Sequence, residues 1–366
     1  AGFIGTRLAR ELLRQNCTVT LLDNFSPQIH GDNAALPADL RDHVHLLRAD
    51  VRDRAAWESA LPGHTAVVHL AAETGTGQSM YQVAHYEQVN LAGTAHLYDI
   101  LAHNKFDITR IVIASSRAIY GEGAYRCATH GTVFPRSQSA ANKKLGHFNP
   151  VCPTCAAACT SIPTEETAPF QPSSFYGLTK QVQEQMALMF GEVLNIPTVA
   201  LRYQNVYGPG QSLQNPYTGI LAIFSNLART GAPISVFEDG LESRDFVYID
   251  DVVRATAACI TNPITGQHTV NIGSGERTTV LEVANLINAF YGSKSNVTVS
   301  GAFRDGDIRH GLADLTRARA LLNYEPQTRF AGGLKNFLAW ASESEPSLGA
   351  YERSLAEMRE RGLLHD

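Results

Sequence analysis

The sequence predicts an α/β fold with a doubly wound parallel sheet and a smaller C-terminal α/β lobe. Three features predict it: short apolar strands alternating with amphipathic helices, a glycine-rich helix start, and a strand ending on a carboxylate. The strands read as TVTLLD (18–23), VHLLRAD (44–50), AVVHLAA (66–72) and RIVIASS (110–116), with helical segments between them. Their apolar runs are nearly continuous, as strands covered on both faces require. A helix over about 175–194 leads to another strand, TVALRY (198–203). Beyond 205 the pattern loosens into turns at GPG, NPYTG and EDG, which suits a lobe closing over a cleft at the carboxyl ends of the strands. The expected division is 1–205 for the sheet domain, with a cysteine-rich insertion at about 122–165, and 206–345 for most of the second lobe. The charged tail, 346–366, reads as a single surface helix.

The glycine-rich start, AGFIGTRLARELL, looks like the second half of a Rossmann-type dinucleotide fingerprint. Gly2 would admit a pyrophosphate, and Gly5 would let the helix pack closely on its strand. The backbone of Gly2, Phe3, Ile4 and Gly5 then offers helix N-terminal amides to phosphate. The next strand ends in Asp23–Asn24, near the ~20-residue spacing of a carboxylate that meets an adenosine ribose. No Arg or Lys follows directly, and a carboxylate repels a ribose phosphate, which favours NAD over NADP. The competing reading is a plain helix start and a strand-end turn. The fingerprint's first strand and first glycine would precede Ala1, so the chain reads as part of a longer polypeptide.

Farther along, SSFYGLTK places Tyr176 and Lys180 one helical turn apart, downstream of Ser116 in SSRAIYG. A phenol with a pKa near ~10 is a poor base at neutral pH. A nearby ammonium and a cationic nicotinamide ring favour the phenolate, and a hydroxyl such as Ser116 shares the moving proton. That is alcohol–ketone chemistry. Y-x-x-x-K alone also arises by chance in many helices, so its weight comes from the company it keeps.

With these motifs in order, the chain resembles the NAD-dependent sugar-nucleotide epimerase/dehydratase family of extended short-chain dehydrogenases/reductases. The resemblance implies roles for further residues. Asp50 and Val51 in LLRADVRD would meet adenine, and Leu70, Ala71 and Ala72 in VVHLAAETG would form the turn beneath the cofactor. Asn90 in VNLAGT joins the cofactor set. Glu73, Ser116 and Asn205 would meet substrate, Asn205 near its phosphates. Arg244 and Arg304 would bind the pyrophosphate and Asp307 a ribose hydroxyl, and planar guanidinium forks suit paired phosphate oxygens. Each arginine alone could equally form a surface salt bridge.

The implied activity is epimerisation at C4 of a nucleotide-activated hexose through a transient 4-keto sugar, with Ser116, Tyr176 and Lys180 as the catalytic set. GEGAYRCATHG, HLAAETGTGQSMY and GPGQSLQNPYTG resemble the subgroup acting on dTDP-6-deoxyhexoses; UDP-hexoses are the next candidates. A 4,6-dehydratase shares the first step but carries Asp-Glu where this chain has Arg117 and Ala118, and neither transfers a proton. A non-catalytic NAD-binding protein would have no use for the catalytic set. The base pocket is expected near 233–237. Helices around 78–104 and 175–194 resemble the pair through which relatives form a homodimer.

Composition agrees. The 366 residues are 44% hydrophobic and 18% charged, with net charge −5 and no basic run, so a nucleic-acid surface is not expected. No stretch approaches the ~18–20 apolar residues of a membrane span, and no signal peptide is visible, so the reading is cytoplasmic. The insertion holds most of the cysteines. Cys127 and His130 are spaced C-x-x-H, and Cys152 and Cys155 form C-P-T-C. This pattern suits a structural zinc; reduced, unliganded thiols are the alternative. Cys17 and Cys259 read as packing residues.

Overall fold

The computed structural model describes residues 1–31, 34–213, 215, 219–346 and 349–366. Part of the NPYTG turn (216–218) lies outside the described residues. Gln267–Ile272, Thr198–Tyr203, Arg110–Ser116 and Ala66–His69 lie side by side, all parallel, in one four-stranded sheet. Ile111 and Gln267 both register with Thr198, and Ala66 with Arg110.

The side chains alternate between two covered faces, as strand geometry demands. Val112, Val199 and Leu201 pack with Val252, Ala255 and Cys259 of the helix Ile249–Thr261. Ile111, Ile113 and Ala200 pack with Leu97 and Ile100 of Gly93–His103 and Ala187 of Phe175–Val193. Burying one such aliphatic side chain is worth roughly 2 kcal/mol, which is why these strands carry no polar alternation.

The other two parallel strands, Thr20–Asp23 and His45–Arg48, form a separate pair. Thr20–Asp23 and Ala66–His69 do not pair with one another, and both line the cavity described below. A Cβ at Gly5 would meet only Leu70 Cδ1, at 3.9 Å. Its helix, Phe3–Arg14, packs Leu8 and Leu12 into the second-lobe core with Val253 and Ala257.

The second lobe is built from short pairs. Ile234–Val236 lies parallel to Val297–Val299, and Phe246–Tyr248 parallel to Asn205–Tyr207. Phe224, Ile234, Val283, Ile287 and Phe337 form its core. The tail is more than the helix expected. After the helix Gly349–Glu360 it turns into a strand, Leu364–His365, which pairs antiparallel with Phe303–Arg304. Backbone hydrogen bonding at this edge satisfies groups that a helix alone would leave open, and it fixes the segment bearing Arg304.

The insertion folds as an antiparallel three-stranded sheet of Tyr125–Cys127, Gly131–Val133 and Thr160–Ser161, with a small core of Tyr125, Cys127, Val133 and Cys152. Cys259 is fully buried and Cys17 half-buried, both against apolar neighbours.

Candidate active site

The strand Arg110–Ser116 ends where Ser116 caps a short 3-10 turn, its hydroxyl accepting the Ala118 N–H at 3.1 Å. Ser174 caps the helix Phe175–Val193 in the same way, accepting from the Gly177 N–H at 3.1 Å. Tyr176 therefore sits in the first helical turn, and its own N–H donates to Ser79 Oγ at 3.0 Å. Gly177 permits the approach of the two turns, since a Cβ there would lie 2.7 Å from the Ala118 carbonyl oxygen.

This arrangement sets the Ser116 hydroxyl near the Tyr176 phenol. Burial pushes that phenol up from its ordinary pKa, while the Ser116 hydroxyl and the Arg117 guanidinium pull it part of the way back. Crowding by protein, with Arg244 nearby, brings Arg117 itself down to about 10. The sequence places Lys180 one turn from Tyr176, yet its ammonium donates to the Ala114 carbonyl at 2.9 Å and Gln183 Oε1 at 2.8 Å. Burial pulls Lys180 down to about 7.

Two buried networks hold these pieces. Gln183 donates to Thr94 Oγ1 at 2.7 Å, and Thr94 donates to the Asn90 carbonyl at 2.7 Å. Asn90 is fully buried; it accepts the Glu73 N–H at 2.9 Å and donates to Thr179 at 3.0 Å. Below them Glu184 accepts from Ser115 at 2.5 Å and from Arg202 Nε at 3.0 Å, while Arg202 also reaches Tyr120 at 2.7 Å. These groups are saturated with partners, as buried charges must be.

A cavity of about 770 Å³ opens above. One end is lined by Gly2, Phe3, Ile4, Gly5, Asp23, Asn24, Asp50, Val51, Leu70, Ala71 and Ala72, the other by Asn205, Arg244, Arg304 and Asp307, with Glu73, Arg117, Ala118 and Tyr176 between. Asn90, Ser116 and Lys180 stand behind this lining. The Glu73 carboxylate is engaged by His85 at 3.2 Å. Arg304 pairs with Asp307 at 2.8 Å and lies over the Phe237 ring at 5.4 Å. Phe237 and Ser235, in the segment expected to meet the base, both line the cavity.

The donor set fits a dinucleotide. Gly2 caps the helix without a side chain, and the amides of Phe3, Ile4 and Gly5 lie in its first turn, where no carbonyl within the helix meets them. A Cβ at Gly2 would meet nothing within 4 Å, so the approach is open. Beside the helix start Asn24 donates to Asp50 at 2.9 Å, and Arg52, then Asn24, bring that carboxyl down to about 2. At the other end the Oδ1 of Asn205 and the Oε2 of Glu242 are buried without a hydrogen-bond partner. Orphaned polar atoms in a cavity wall are what a polar ligand satisfies.

A model of the NAD dependent epimerase/dehydratase family matches residues 1–148 and 151–273. The chain belongs to this family.

Among its members, dTDP-L-rhamnose 4-epimerase of Burkholderia thailandensis is 39% identical over 94% of this chain and 93% of its own. UDP-glucose 4-epimerase of Thermotoga maritima, solved with UDP-glucose, superposes with a TM-score of 0.73 at 26% identity, covering 94% of this chain and 96% of its own. The Thermus thermophilus UDP-glucose 4-epimerase, solved with NAD, gives 0.72 at 25% identity, covering 94% of this chain and 97% of its own. Membership makes this chain an NAD-dependent enzyme of the epimerase/dehydratase kind, and the free amides at Phe3–Gly5 are the group that would hold the dinucleotide phosphates.

Residues that sequence reasoning left without a role are now placed. Glu184 lies four residues beyond Lys180, on the same helical face, a spacing that could have flagged it. Gln183, three residues beyond Lys180 and bonded to it, carries the same signal; Arg202, Thr94 and Glu242 carry none, and only folding brings them to the site.

Proposed function

We propose that the protein inverts C4 of a nucleotide-activated 6-deoxyhexose, interconverting dTDP-L-rhamnose and dTDP-6-deoxy-L-talose. What carries this reading is the Tyr176 phenol, with the Ser116 hydroxyl near it, at the wall of a cavity whose lining suits a dinucleotide and a pyrophosphate. The 39% identity to a dTDP-L-rhamnose 4-epimerase supports the sugar and base.

The chain's own residues act as follows. Tyr176, as phenolate, takes the proton of the C4 hydroxyl, and Ser116 holds that oxygen as it becomes a carbonyl. Arg117 stabilises the phenolate by its charge. Lys180, fixed at the sheet end by Ala114 and Gln183, holds the nicotinamide ribose. NAD, when bound, supplies the acceptor and then the donor of the C4 hydride, with no net redox change. Arg244 and Arg304 clamp the pyrophosphate, and Asp307 accepts from a ribose hydroxyl. The keto sugar turns between the two half-reactions and presents its opposite face.

A UDP-hexose is the second reading, favoured by the likeness to the Thermotoga enzyme with UDP-glucose. A 4,6-dehydratase is disfavoured: Arg117 and Ala118 line the cavity where an acid and base are needed, and Glu73 is occupied by His85. The protein acts in the cytoplasm as a homodimer. Met80, Val83, Leu178, Met189 and Val193 are exposed on the adjoining segments and helix expected to pair, an apolar face that a second copy would cover. Among the described residues no helix is long and apolar enough to cross a membrane.

Incubation with a panel of dTDP- and UDP-sugars, followed by NMR of the sugar ring, tests this. A C4-inverted dTDP-6-deoxyhexose at equilibrium is expected. Inversion of UDP-hexoses alone moves the reading to the second, and release of water to form a 4-keto-6-deoxy product overturns both.

A further inference from the structure

We infer that Cys127, His130, Cys152 and Cys155 bind one structural zinc ion that braces the substrate end of the cavity. The four ligand atoms come from two separate turns, and all lie within 4.8 Å of one another. Cys127 and His130 flank the turn between Tyr125–Cys127 and Gly131–Val133. Cys152 and Cys155 form the turn inside the Val151–Ala158 bridge, closed by Cys152 N–H to the Ala157 carbonyl at 2.8 Å.

Three of the six spacings match a coordination tetrahedron, and the rest stay within 4.8 Å. Zinc at about 2.3 Å from sulfur and about 2.05 Å from nitrogen sets S···S edges of about 3.8 Å and S···N edges of about 3.6 Å. Cys127 Sγ lies 3.8 Å from Cys155 Sγ and 3.7 Å from His130 Nδ1, and Cys152 Sγ lies 3.5 Å from the same Nδ1. A disulfide would need about 2.05 Å between sulfurs and would leave the imidazole without a purpose. On binding, the three thiols release their protons and the four ligands fill the shell, so no open position remains for catalysis.

The brace runs from Cys152 to the cavity. Three residues before it, Asn149 accepts from Arg309 Nε at 2.9 Å. Arg309 pairs with Glu238 at 2.9 Å, and Glu238 pairs with Lys143 of the insertion at 2.8 Å, all three buried. Arg309 stands two residues beyond Asp307 on the cavity wall. The insertion's own core is four side chains and cannot hold these partners alone.

Elemental analysis of the full chain, grown with zinc and purified without immobilised metal, should find about one zinc per chain. Cys155→Ser and His130→Ala should each cut retained zinc about fivefold or more, while Cys159→Ser and Cys17→Ser keep it. Cobalt-exchanged wild type should show thiolate charge-transfer and tetrahedral d–d absorption. Zinc below about 0.2 per chain with no cobalt spectrum overturns the site. Loss of zinc in Cys159→Ser but not Cys155→Ser overturns the ligand assignment. In the NMR assay Cys155→Ser should raise KM more than it lowers kcat; that readout rests on the proposed reaction, whereas the metal content does not.

Discussion

The guanidinium of Arg117 bears on the phenol of Tyr176 and favours loss of its proton. Burial nevertheless keeps the phenol's pKa above its ordinary value, so the phenolate is scarcer at neutral pH than in water. Lys180, whose ammonium donates to Ala114 and Gln183, is held at the sheet end instead. The cationic support of the phenol is thus drawn from Arg117, just past the strand end.

Replacing Tyr176 by Phe should leave the fold and NAD retention intact while reducing turnover on the order of 10³-fold, within the usual range for loss of a general base. Bound NAD is read from absorbance of the released cofactor. Turnover within a factor of a few of wild type would remove the phenolate from the mechanism.

Arg117→Met should shift the phenol's ionisation limb in the pH–rate profile upward, since the cation favours the charged form. At neutral pH kcat should fall roughly tenfold, because less phenolate is present. Arg117→Lys should restore part of it. An unmoved limb in the methionine variant would assign Arg117 to substrate contact alone.

Arg244→Ala and Arg304→Ala should each raise KM roughly 10- to 100-fold with kcat nearly unchanged, the pattern of lost ground-state binding. For Arg304 part of the loss comes from freeing Asp307, its partner at 2.8 Å. Unchanged KM in both would place the pyrophosphate elsewhere.

Glu242 is buried, and burial raises its carboxyl from 4.5 to about 7. Between those pH values the folded protein holds a proton that the unfolded chain has released, so stability should fall as pH rises through this window. Glu242→Gln should flatten that decline and gain on the order of 3 kcal/mol above pH 7. Denaturant unfolding at pH 5 and pH 8 measures it; an equal pH dependence in both proteins would refute the buried proton.

Much of the site was legible because its chemistry is local. Asp23 closes a strand, Tyr176 and Lys180 share one turn, and the helix read as about 175–194 runs Phe175–Val193. The tail was legible only in part: its helix follows from composition, but pairing of Leu364–His365 with Phe303–Arg304 joins segments far apart in sequence. Asn90, read as a cofactor contact, is buried between Glu73 and Thr179, which no spacing foretells.

By itself the sequence determined the strand and helix periods, the glycine-rich helix start and the order of the motifs, since each depends on residues within a few positions of one another. Tertiary structure alone decided which cation faces Tyr176, which groups stand behind the wall, and that Glu184 and Arg202 tie the sheet to the helix. The reason is physical: electrostatics and burial depend on distance in space, and side chains such as Arg202 and Glu184, or Asn149 and Arg309, meet only after the chain has closed its long loops.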